Sequence, residues 1–156
     1  MKTTLILVGK TANKMYETGI RDYEERINHY IPFSIKVIPE LKNNKNLSEN
    51  QQKEKEGELI LKSIENKSTV ILLDEHGKEY RSIEFAAWIE KIQQTVKQLY
   101  FIIGGPYGFS DDVYARADGK ISLSKMTFSH QMVRLVFAEQ LYRACTIIRN
   151  EPYHHE

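Results

Sequence analysis

Cysteine is almost absent from this chain. Its 156 residues hold one, Cys145, so no disulfide framework can form within the chain. Its place in an apolar helical pattern reads as a small buried side chain and not as a nucleophile. Long apolar runs are missing too. Leu5 to Val8 is too short for a secretory signal core and ends at Gly9-Lys10, and no run approaches the ~18 residues of a membrane span. An excess of one charge is also lacking: 22 Lys and Arg face 21 Asp and Glu, a net +1, which neither requires nor excludes nucleic acid. With four prolines, 41% hydrophobic and 28% charged residues, the composition fits neither a disordered chain, collagen nor a coiled coil. What is left is a single globular domain, residues 1–156, of a cytoplasmic protein with no membrane anchor.

Strand and helix signals alternate along that domain. Thr3 to Val8 is β-rich, and Met15, Ile20, Tyr23, Ile27 and Tyr30 recur at helical spacing. Phe33 to Ile38 alternates apolar and polar residues between Pro32 and Pro39, which suits a strand near a sheet edge. Asn43 to Asn50 reads as a surface loop, within which Ser48 and Gln51 form a capping box that opens the next helix. Val70 to Leu73 is a short apolar strand ending at Asp74, and Ser82 is positioned to cap a helix carrying Phe85, Trp88, Ile89 and Ile92. Leu99 to Ile103 reads as a buried strand, Ser110 as the cap of a short helix, and Ile121 to Leu123 as a minimal strand. Ser129 can cap the last helix, whose apolar residues from Met132 to Cys145 cover more than one stripe. Such a helix is buried on more than one side, either at the centre of its own domain or against a second copy of the chain. Continuous apolar strands separated by helices predict an α/β fold with a mostly parallel sheet covered on both faces.

Chemistry is expected where loops leave the carboxyl ends of neighbouring strands. Three such segments stand out: the loop after Leu73, Ile103-Gly104-Gly105-Pro106-Tyr107-Gly108, and Leu123-Ser124-Lys125-Met126-Thr127-Phe128-Ser129-His130. A dinucleotide fingerprint is excluded, because the first strand–helix turn offers only Gly9-Lys10 and the glycine cluster follows the fourth strand. No P-loop, no G-x-S-x-G elbow and no His/Cys metal spacing occurs; the adjacent His154 and His155 cannot face one ion and read as a solvated tail. The remaining possibility is a pocket of main-chain groups and apolar walls, better matched to an adenosine moiety than to a triphosphate. Residues 120–156 carry five basic against three acidic side chains, together with His130, His154 and His155, a modest bias toward an anionic partner.

Taken together, the Gly104–Gly108 loop, Leu123 to Arg134, Glu139-Gln140-Leu141-Tyr142-Arg143-Ala144 and Pro152-Tyr153-His154 resemble the RlmH family. These are small SPOUT-class methyltransferases acting on a pseudouridine of large-subunit (23S) ribosomal RNA, and the resemblance runs from the N-terminal Leu-Val-Gly-Lys to the tail. It implies an α/β fold with a C-terminal trefoil knot, a homodimer, and S-adenosylmethionine as methyl donor. It further implies N3-methylpseudouridine as product and the assembled ribosome as substrate, with no metal. Carried over by motif, Leu73, Gly104, Leu123, Ser124, Lys125, Met126, Thr127 and Phe128 contact the donor. For the proton leaving N3, His154 is the first candidate acceptor and His130 the second. Arg143, Arg149 and Tyr153 are the candidate RNA contacts; Arg134 is a further phosphate candidate, and a surface ion pair with Glu139 is the ordinary alternative for Arg134 and Arg143. His155 departs from relatives, which often have arginine there, and weakens a phosphate contact near neutral pH. The competing class is a non-catalytic RNA- or ribosome-binding module that retains a ligand pocket.

Overall fold

Strand residues take turns between two cores. In the computed structural model, which describes residues 1–42 and 44–156, β1 (Lys2–Val8) sends Leu5 and Leu7 to one face and Ile6 and Val8 to the other. The same alternation runs through β4 (Gln98–Ile103), where Phe101 and Ile103 oppose Tyr100 and Ile102. Strands this apolar on both sides must be covered on both. On one face lie α1 (Lys14–Asn28), α3 (Ser82–Gln93) and α5 (Met132–Ile148); α2 (Glu49–Lys62) and α4 (Asp111–Arg116) pack on the other. The remaining strands are β2 (Phe33–Ile38), β3 (Thr69–Glu79) and β5 (Gly119–Ser122). Among the described residues the strand order is β2-β1-β4-β3-β5, and every pairing is parallel. The α/β reading holds, and β2 is an edge strand as its flanking prolines suggest. Asn43, at the start of the Asn-rich loop, lies outside the described residues.

The breadth of α5's apolar surface has its cause within the chain. The helix packs between α1 and α3 as well as on the sheet, and Phe137, Ala138, Leu141, Ala144 and Cys145 are buried. Phe137 meets Phe101 of β4 with ring centroids 4.7 Å apart. A helix with neighbours on both flanks needs more than one apolar stripe.

Three local expectations need correction. β3 does not end at Asp74: it runs on to Glu79, and its register against β5 slips, so that Leu73 and Lys78 both partner Ile121. The residues between them leave the ladder as a bulge. Gly77 permits it, because a Cβ there would lie 2.5 Å from the Ile121 backbone. The cap of α3 is Arg81, not Ser82: the Arg81 N–H donates to the Glu84 carboxylate at 2.8 Å, while Ser82 is already helical and its hydroxyl donates to Gln140 at 2.9 Å. The cap of α5 is Gln131, without a side-chain cap bond, and not Ser129, which lies ahead of the helix with its Oγ accepting from the Met132 N–H at 3.1 Å; Ser48 and Ser110 cap as expected.

Candidate active site

The carboxyl ends of β4 and β5 and the bulge within β3 open into one cleft of about 720 Å³. Leu73, Ile103, Phe109, Ile121, Leu123, Phe128 and Val133 supply apolar walls, which alternate with polar groups. Of the eight residues assigned to donor contact, it brings together Leu73, Gly104, Leu123, Ser124, Met126, Thr127 and Phe128; Lys125 is exposed and off the lining. The serine-rich loop keeps its shape through its own hydroxyls. The Ser122 hydroxyl donates to the Ser124 carbonyl and the Met126 N–H donates to Ser124 Oγ, each at 2.9 Å.

Sequence reasoning missed part of the lining. Asp74, Glu75 and His76 reach the cleft because the β3 bulge carries them there, and Glu49 arrives from the first turn of α2. The loop after Leu73 was legible as a site element, but its re-entry into the sheet was not. Glu49 had no signal, since its approach depends on where α2 packs. Asp74 holds the bulge: one oxygen accepts from the His76 N–H at 2.8 Å and the other from the Tyr114 hydroxyl. Burial, and then that bond to Asp74, push the Tyr114 pKa well above its ordinary range. The lining therefore carries Glu49, Asp74 and Glu75, and among the described residues no Lys or Arg. Such a cleft favours a cationic or neutral ligand and disfavours phosphate.

The glycines of the β4 loop have a different rationale from the expected one. A Cβ at Gly104 would lie 3.1 Å from Phe109 Cε1, and one at Gly105 would lie 2.7 Å from Glu56 Oε1. The protein's own side chains fill the space that these residues leave.

His130 lines the cleft and is exposed. His154 is elsewhere. It belongs to a cluster with Glu139, Arg143 and Tyr153, and Arg143 lies ten residues beyond the lining residue Val133 on α5, about 15 Å at 1.5 Å per residue. Within one chain the two histidines are not brought together. The tail is only partly solvated: His155 is exposed, as the tail's composition suggests, but His154 is not. His154 is half-buried, with Arg143 Nη1 at 3.2 Å from its Nδ1 and its Nε2 buried without a partner. Arginine only donates, so Nδ1 accepts and the ring proton sits on Nε2. In this arrangement His154 offers an N–H and not a lone pair. The Tyr153 hydroxyl donates to Glu139 at 3.0 Å, and the Arg143 guanidinium lies 4.7 Å from the Tyr153 ring centroid. Arg143 also pairs with Glu139, its ordinary alternative, while Arg149 is exposed at the C-cap of α5.

Arg134 is neither a phosphate ligand nor part of a surface ion pair. It is fully buried, and its guanidinium donates to the carbonyls of Val8, Gly9 and His130 and to the Thr11 hydroxyl, at 2.7 to 3.1 Å. The helical pattern alone gives no sign of this, because its partners lie more than 120 positions earlier in the chain, apart from His130.

Among the described residues no cluster of His, Cys, Asp and Glu is placed to hold a metal ion, and no helix is long and apolar enough to cross a membrane. Comparison with known proteins agrees with the fold. The family described as predicted SPOUT methyltransferase matches residues 1–154. Over the full length of both chains, this one is 66% identical to the ribosomal RNA large subunit methyltransferase H of Phocaeicola vulgatus. It is 63% identical to that of Bacteroides fragilis and 57% to that of Flavobacterium johnsoniae, again over both full lengths. With its parallel sheet, its cleft at the strand ends and a match over nearly every residue, the chain belongs to the SPOUT methyltransferase family.

Proposed function

We propose that this protein, a single domain over residues 1–156, uses S-adenosylmethionine to methylate N3 of a pseudouridine in 23S ribosomal RNA on the assembled ribosome. The observation that carries the reading is the cleft itself: apolar walls, a hydroxyl-rich loop, three carboxylates and no Lys or Arg among its described lining residues. A cationic adenosine derivative fits such a lining and a nucleoside phosphate does not. The names of the full-length relatives supply the nucleic-acid target.

A sulfonium methyl is already activated, so alignment is the protein's main task. Leu73, Leu123 and Phe128 supply apolar walls, and the Ser122–Ser124–Met126 bonds keep the loop rigid. The N3 proton needs an acceptor. Of the two candidate acceptors, His130 lies on the cleft of the same chain, which His76 also lines. His154 joins a cleft only across a homodimer, where one subunit's tail meets its partner's site, and only after exchanging its bond to Arg143. Arg149 and Lys125 are both exposed and available to RNA phosphate. The resemblance implies a trefoil knot in the C-terminal part of the chain, and a cytoplasmic location follows from a ribosomal substrate.

The test is methyl transfer from labelled S-adenosylmethionine to ribosomes that lack the modification, with the product nucleoside identified by mass spectrometry. N3-methylpseudouridine in 23S RNA is expected. Donor binding with no transfer to ribosomes or free RNA would leave a binding module instead.

A further inference from the structure

A buried acid, Glu56, stands beside the cleft. Glu56, on α2, is only 5% exposed. Its Oε2 accepts a long bond from Gln52 at 3.3 Å, while its Oε1 is buried with no hydrogen-bond partner. Among the described residues, no Lys, Arg or His forms an ion pair with it. A buried carboxyl in this condition costs free energy that a well-packed apolar side chain would not. Burial, with Glu40 adding its charge, raises the Glu56 pKa, as expected of an acid that lacks a counter-ion.

The position of this acid is informative. Oε1 lies 2.7 Å from where a Cβ of Gly105 would stand, and Gly105 lines the cleft. One residue of backbone therefore separates an unpaired acid from the ligand space. The lining adds Glu49, Asp74 and Glu75 and, among the described residues, no basic side chain. In surroundings of low dielectric, a charge acts across such a wall with far less screening than in water.

We propose that Glu56 is the specificity-determining counter-charge of the cleft, the group that makes it hold the cationic sulfonium donor in preference to the neutral thioether product. The inference rests on the methyltransferase reading. Donor and product, S-adenosylmethionine and S-adenosylhomocysteine, differ by one methyl group and one positive charge. Shape alone separates them weakly; a carboxylate behind Gly105 favours only the first, and a bound cation in turn favours the ionised form of Glu56 against the upward push of burial. After transfer the attraction is gone, which eases release of the product. Glu56 acts through the field across Gly105 and makes no contact with the reacting atoms.

Calorimetric titration of the full chain with each ligand tests this. Glu56→Gln keeps the shape and removes the charge. Affinity for S-adenosylmethionine should fall roughly tenfold, about 1.4 kcal/mol, with S-adenosylhomocysteine affinity within about twofold of wild type. Equal losses for both ligands would mean that Glu56 only shapes the wall, and no change in either would remove it from the site; each result overturns the proposal. If Glu56→Gln does not fold, Glu56→Met, which also removes the charge, is read in its place: it should lose the preference for the cation, and an unaltered ratio of the two affinities overturns the proposal. Should the wild-type protein bind neither ligand, the methyltransferase reading falls and this inference with it. Binding of both with an unaltered ratio in Glu56→Gln sinks only the role of Glu56.

Discussion

Arg134 Nη2 donates to the carbonyl of Val8 at 2.7 Å, tying the first turns of α5 to the end of β1. The same guanidinium holds Gly9 and His130, and Gln131 next to that loop accepts from the Ala12 N–H at 2.8 Å. The β1–α1 loop and the cleft loop are thus one structural unit. A buried charge satisfied only by neutral oxygens is costly to remove, because its acceptors lose their donors together. Arg134→Met should destabilise the protein by about 3 kcal/mol, read from the urea midpoint. A loss below about 0.5 kcal/mol would contradict the assignment, and a phosphate ligand would instead lose RNA binding with stability intact.

Gly104 offers a second prediction. Since a Cβ there meets Phe109 at 3.1 Å and Phe109 is buried, Gly104→Val must displace that ring. A cost of about 1–3 kcal/mol is expected for the overpacking, together with loss of donor affinity. Thermal melts and calorimetry on one preparation decide it. A variant with wild-type melting and lost affinity would mean that the side chain enters ligand space and spares Phe109.

Deleting Tyr153 to Glu156 separates tail from cleft. None of these residues lines the cleft, so S-adenosylmethionine affinity should stay within a few-fold of wild type while transfer to ribosomes largely disappears. The deletion also removes the bonds of Tyr153 to Glu139 and of Glu156 to Arg81, so a modest fall in melting temperature accompanies it. His130→Ala and His154→Ala then discriminate the acceptors: the true one lowers turnover far more than donor affinity. Full activity after truncation would exclude His154.

Alkaline pH should unfold the protein by a defined route. Tyr30 is pushed up to about 12 by its hydrogen bond to Glu151. Tyr114 and Tyr153 are raised chiefly by burial, and then by bonds to Asp74 and, for Tyr153, to Tyr23 and Glu139. Each folded value lies above the ordinary 10.0, so the unfolded chain loses these protons first as pH rises. The contribution of these hydroxyls is whole below pH 10 and is lost as pH climbs through 12. Tyrosinate absorbance followed beside circular dichroism should show late, cooperative ionisation of these groups coincident with unfolding. Ionisation near the ordinary value with the fold intact would refute the carboxylate bonds.

The sequence by itself determined the order of strands and helices, the fold class, two of the four expected caps and most of the residues expected on the cleft lining. These are local properties: alternating or continuous apolar runs, hydroxyls before helices, and motifs contained in single loops. His130 and the segment Leu123 to Phe128 were legible for that reason. Tertiary structure alone decided what each polar side chain does once elements meet. Arg134 is surface-like in a helical pattern but is buried, because β1 presents carbonyls to it. His154 resembles a loose tail residue, yet it is held by Arg143. Gly105 reads as a ligand-facing glycine, and its missing side chain makes way for Glu56. The β3 bulge that delivers Asp74, Glu75 and His76 exists because β5 pairs with β3 twice, in two registers. Pairings between residues so distant in the chain leave no periodic trace, since burial and hydrogen-bond demand are met by whichever groups the fold brings near.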